Sequence, residues 1–133
     1  MKHVGDIADY VAARNKDLYA VFKEKFEKAR QVNMSEIVAE TVKSPAKRFY
    51  ISDRRAQDVV TRLLEGESID GMRPERKRMF MEIYNRCLER MQSGTAVPLV
   101  ELVRDVIKQP APEFYITTGS ALVYLYGIKN GKK

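Results

Sequence analysis

The sequence predicts an all-α fold of six or seven helices, built as two internally repeated three-helix units packed about an approximate twofold. Three observations carry this expectation. Almost every periodic stretch places apolar residues at steps of three and four, the spacing that lines one face of a helix. A constant shift of 65 lays Pro45 on Pro110, Phe49 on Phe114, Tyr50 on Tyr115, Ile51 on Ile116 and Ala56 on Ala121, with the hydroxyl residues Ser52 and Thr117 also aligned. The length of 133 residues, with 44% hydrophobic and 32% charged, fits a single compact domain (1–133).

Taken in order, the stretch Val4 to Ala13 reads as a short helix or as an extension of the first long one. From Asn15 to Arg30 a helix is expected on the stripe Leu18, Val21, Phe22, Phe26 and Ala29. Asn33 caps the next, with Glu36 three residues on. That helix uses Met34, Ile37, Val38 and Val42 and stops before Ser44-Pro45, because proline removes a donor and restricts the residue before it. Phe49-Tyr50-Ile51 suits an extended crossing, where Phe49 and Ile51 plug the core and Tyr50 points the other way. Ser52 or Asp53 caps a third helix with the stripe Ala56, Val59, Val60, Leu63 and Leu64, closing a first unit over 14–66. Gly66 to Arg73 reads as a linker, and Pro74 suits the first turn of the following helix. The second unit, 74–129, repeats the order. A long helix to Gln92 buries Phe80, Ile83, Cys87 and Met91. A short one follows on Leu99, Leu102, Val103, Val106 and Ile107, and then a last helix from about Thr117 to Ile128. Asn130 to Lys133 reads as a frayed tail.

The net charge is +6, and 1–66 and 67–133 each contribute +3. A moderate, evenly spread excess fits contact with nucleic acid and also fits many proteins without such a partner. No apolar run reaches the roughly 20 residues of a membrane helix, and the N-terminus lacks a signal-peptide core, so no membrane contact is expected and the expected location is cytoplasmic. One cysteine, Cys87, and one histidine, His3, leave no basis for a disulfide framework, a metal site or Ser-His catalysis. No phosphate loop or activated nucleophile is present, so a non-enzymatic protein without cofactors is expected. Cys87 falls on an apolar helix face and reads as a packed thiol.

The two third helices differ in kind. In the first, Arg54, Asp58, Thr61 and Glu65 point away from the apolar face, with Arg55 and Arg62 on one flank. Lys47 and Arg48 lie in the preceding turn. Arginine makes bidentate contacts with guanine or phosphate, Gln57 suits adenine, and the helix start at Ser52 offers backbone N–H groups to a phosphate. Arg76 and Lys77 extend the set at the start of the second long helix, where positive charge opposes the helix dipole. The alternative is a solvated face held by pairs such as Arg54–Asp58 and Arg62–Glu65. The last helix has no charge between Thr117 and Ile128. It is expected to lie between the two units, or to form a homodimer or protein contact through Val123, Tyr124 and Tyr126; the tyrosines could also stack on bases.

Two resemblances bear on these residues. The stretch Met34 to Leu64 resembles helix-turn-helix proteins, whose last helix enters the DNA major groove, although its connection from Ser44 to Ile51 is longer than theirs and carries two apolar plugs. The Pro-Ala-x-x-Phe-Tyr-Ile-Ser/Thr signature at Pro45 and Pro110 is similar to one in small proteins of gut Bacteroidetes and their phages; this implies a phage or mobile-element context and transfers no functional residues. The expected function is a DNA-binding or nucleoprotein accessory protein, with double-stranded DNA as partner. The alternative is an interaction or structural module of a phage or mobile element.

Overall fold

A computed structural model describes residues 7–94 and 96–129, and within them the chain forms six α-helices. They are α1 (Ile7–Lys28), α2 (Met34–Val42), α3 (Asp53–Leu64), α4 (Pro74–Gln92), α5 (Leu99–Ile107) and α6 (Thr118–Lys129). His3, the start of the Val4–Ala13 stretch, Thr95 and the Asn130–Lys133 tail lie outside the described residues. From Ile7 onward the N-terminal stretch is an extension of the first long helix, since α1 runs unbroken to Lys28.

The helix boundaries follow local chemistry. Asn33 accepts a hydrogen bond from the Glu36 N–H at 3.1 Å, and Ser52 accepts one from the Arg55 N–H at 3.1 Å. Thr117 does the same for Ser120 at the start of α6. Pro74 occupies the first turn of α4. Gly66 and Gly94, just beyond the ends of α3 and α4, have φ of 88° and 85°, the left-handed region in which a residue without Cβ is unstrained.

The core is continuous. Leu18 and Phe22 of α1 meet Val38 and Val42 of α2, Ala56, Val59 and Val60 of α3, Phe80, Ile83 and Cys87 of α4, Val103 and Ile107 of α5, and Ala121 and Leu125 of α6. Phe49, Ile51, Phe114 and Ile116 are buried while Tyr50 and Tyr115 are half-buried, as expected, but the backbone is not extended: the Ile51 N–H donates to the Phe49 carbonyl at 3.0 Å, closing a three-residue turn at Tyr50, and Tyr115 has φ 57°. The linker contributes as well: Ile69 is buried and Met72 packs partly against the core, while the rest of 66–73 is exposed. Met91 is 44% exposed and Met79 is buried in its place, because the last turn of α4 runs past the core.

The two turns meet at the centre. Ala46 and Ala111 exchange backbone hydrogen bonds of 2.9 Å in both directions. The Phe49 N–H donates to the Ile107 carbonyl, and the Phe114 N–H donates to the Val42 carbonyl, both at 3.0 Å. Phe49 stacks on Tyr115 and Tyr50 on Phe114, with ring centroids 6.0 and 6.1 Å apart. Every partner in these pairs lies 65 positions from its counterpart in the reciprocal pair.

The helices interleave accordingly. α1 packs on α2 and α4 on α5, but α3 lies on α5 and α4, and α6 lies on α2. This departs from the helix-turn-helix resemblance: α2 and α3 make no extensive contact with each other, because the connection 43–52 carries the chain across to the other unit. The expectation for α6 is met on one face. Ala121 and Leu125 are buried, yet Val123 is 76% exposed and Tyr126 44% exposed. α6 packs on α2, so one face meets the 14–66 stretch as expected, while the face with Val123 and Tyr126 stays open.

Candidate nucleic-acid interface

Ser52 starts α3 and thereby sets the directions of the side chains after it. Ser52, Arg54, Arg55, Gln57, Asp58 and Thr61 line one open depression of about 580 Å³. The Ser52 hydroxyl already serves the Arg55 N–H, so this residue acts as a helix cap and not as a vacant phosphate cradle. Arg54 is exposed and Gln57 half-buried.

The charge pairing differs from the pairs expected. Asp58 accepts from Arg55 at 3.4 Å and lies 3.6 Å from Arg62, so a single carboxylate serves two arginines. Arg54–Asp58 and Arg62–Glu65 are not the pairs formed. Asp58 stands three residues after Arg55 and four before Arg62, the two spacings at which helix side chains meet, and so reaches both. The side chains of Arg55, Arg62 and Asp58 are about half exposed (42%, 50% and 47%), a setting in which an ion pair contributes only about 0–1 kcal/mol. Such pairs give way readily to a competing anion.

Arg55 also reaches across to α4. Its Cζ lies 5.8 Å from the centre of the Phe80 ring, and Arg76 Cζ lies 5.5 Å from the same ring. Phe80 is fully buried, so it fixes both arginines from beneath. Burial, and secondarily the charge of Arg55, lower the pKa of Arg76. Among the described residues no carboxylate lies within ion-pair distance of Arg76.

The other expected contacts are otherwise engaged. Lys77 pairs with Asp70, and Lys47 lies 3.8 Å from Asp17. Arg48 donates to the Phe49 carbonyl at 3.0 Å and covers the Tyr10 ring at 5.0 Å, so it braces its own turn against α1. The structure therefore brings Ser52, Arg54, Arg55, Gln57, Arg62 and Arg76 to one region, while Lys47 and Arg48 serve the turn.

Sequence reasoning missed two residues. Phe80 has the spacing of a core residue, and its position on α4 also makes it the floor beneath two arginines. Arg86 donates to Glu82 (2.8 Å), Gln109 (3.1 Å) and the Pro110 carbonyl (3.0 Å) and covers the Phe49 ring at 5.0 Å. Its only sequence signal was the Glu82–Arg86 spacing of four.

Among the described residues no group of His, Cys, Asp and Glu could hold a metal ion, and no helix is long and apolar enough to cross a membrane. Burial pushes the Cys87 thiol up to about 11, the signature of a packed thiol. No family model, curated protein or solved structure matches the chain.

Proposed function

We propose that this protein is a small helical accessory protein of nucleic acid, binding rather than catalytic, that holds double-stranded DNA against α3 and the first turn of α4. The observation that carries the reading is the divergence of two helices at matching positions of the repeat. Arg54, Arg55, Asp58 and Arg62 on α3 stand where α6 has Gly119, Ser120, Val123 and Gly127. α3 packs on α4 and α5 and α6 on α2, each through its apolar face, and the packing of that face does not account for three arginines on the other sides of α3. The similarity of the turn signature to small phage and Bacteroidetes proteins agrees with a mobile-element setting.

The domain organisation belongs to the same reading. The units 14–66 and 74–129 are duplicated and interleaved about an approximate twofold, a reading supported by the reciprocal Ala46–Ala111, Phe49–Ile107 and Phe114–Val42 bonds. The duplication left one copy free to diverge toward binding.

The test is fluorescence anisotropy on a labelled duplex across a salt series. Changing Arg54, Arg55 and Arg62 together to Ala is expected to weaken salt-dependent binding while the helical circular dichroism stays unchanged. Unchanged binding, or none by the unaltered protein at low salt, would remove the proposal.

A second reading rests on Val123 and Tyr126, which α6 leaves exposed. They suit a protein partner, or a second copy of this chain, as in a structural module of a phage or mobile element. Light scattering after size exclusion, with Val123→Lys as the disrupting change, tests it.

A further inference from the structure

We propose that Arg55 and Arg76 form a two-guanidinium clamp for a single backbone phosphate of duplex DNA, an inference that rests on the nucleic-acid reading above. The two residues come from different helices and converge on one fully buried ring, Phe80, at 5.8 and 5.5 Å. Stacking on a ring consumes none of the five N–H donors of a guanidinium, so both side chains keep their hydrogen-bonding capacity while losing freedom to move.

The pair differs from the protein's other arginine clusters in its charge balance. Arg78 bonds to Glu113, Arg104 to Asp53 and Arg86 to Glu82, each at 3.2 Å or less. Among the described residues Arg55 and Arg76 have between them one carboxylate, Asp58, 3.4 Å from Arg55 and shared with Arg62. Two like charges gathered on one ring raise each other's electrostatic energy, and a monoanionic phosphodiester bound by both removes that excess. Arg76 is exposed, so the phosphate can reach it. With the backbone held there, the exposed Arg54 and the adjacent Gln57 are the side chains left to meet a groove.

The experiment measures the salt dependence of binding to a labelled duplex of about 20 base pairs, comparing the full chain with Arg76→Gln and Arg76→Lys. Losing one phosphate contact is expected to reduce the slope of log affinity against log salt by about 1 and to weaken binding about tenfold near 50 mM salt. Arg76→Lys, which keeps the charge, is expected to retain the slope. A purely structural role for Arg76 would lower the thermal midpoint and leave the slope alone. That outcome in a protein that otherwise binds would overturn the clamp and leave the wider reading intact. Failure of the unaltered protein to bind at 50 mM salt would overturn both.

Discussion

Phe49 and Phe80 are both fully buried, and both have arginine stacked over them: Arg86 on the first, Arg55 and Arg76 on the second. At this scale a core ring also determines where a surface charge stands. Phe49→Ala removes the ring shared by Tyr115 and Arg86 and is expected to cost about 3–5 kcal/mol, read from the urea unfolding midpoint. Ser52→Ala should cost about 1 kcal/mol by the same measurement, the usual loss for a helix cap. Cys87 and Tyr115 give a pH dependence. Burial raises the first to about 11 and, with Glu82 and Glu113 nearby, the second to about 12. A folded pKa above the unfolded value stabilises the fold fully below the unfolded pKa, and that contribution disappears as pH rises through the folded one. Stability is therefore expected to fall from about pH 9 to about pH 12. Denaturant titrations across that range should show a flatter dependence between pH 9 and 11 for Cys87→Ala. Tyr115 itself sits at φ 57°, a left-handed conformation that an aromatic residue tolerates only where its surroundings hold it. Its stack on Phe49 is one such restraint.

Among elements, the start of each helix and the inward side of each crossing were legible in the sequence. Asn33, Ser52 and Pro74 act through their nearest neighbours, and Phe49 and Ile51 keep the expected inward alternation although a three-residue turn at Tyr50 takes the place of extended backbone. The partners of each helix were not legible. Periodicity gives a helix an apolar face but does not say which neighbour fills it, so α3 reads alike whether it packs on α2 or on α5. The ion pairs were ambiguous for a related reason: Asp58 is three residues from Arg55 and four from both Arg54 and Arg62, and spacing alone cannot choose among them. The floor beneath the arginines was hidden because Phe80 belongs to a different helix. The crossing turns carry their own prediction. Ala46, Ala111, Phe49 and Phe114 donate the N–H groups that join the two halves at buried positions. Native-state hydrogen exchange is expected to show these four amides opening only with global unfolding. Exchange at the rate of a loop would mean that the two turns separate independently.

For the molecule as a whole, interleaving has a direct consequence. α3 finds its packing partners in α4 and α5, and α6 finds its partner in α2, so neither 14–66 nor 74–129 retains the contacts that bury its third helix. Each fragment alone is expected to lose most of its helical circular dichroism, and mixing the two should restore it; an independently folded fragment would contradict the interleaved arrangement. The same architecture sets the two candidate surfaces apart. The arginine-bearing face is built on α3 and α4, whereas the uncharged face with Val123 and Tyr126 is built on α6. The most direct measurement is therefore an NMR titration of the isotope-labelled full chain with duplex DNA at low salt, following every backbone amide. Shifts are expected at residues 52–62 and 73–77, weakening as salt is added, with α6 unaffected. Shifts confined to α6, or none at low salt, would contradict nucleic-acid binding through the α3–α4 face.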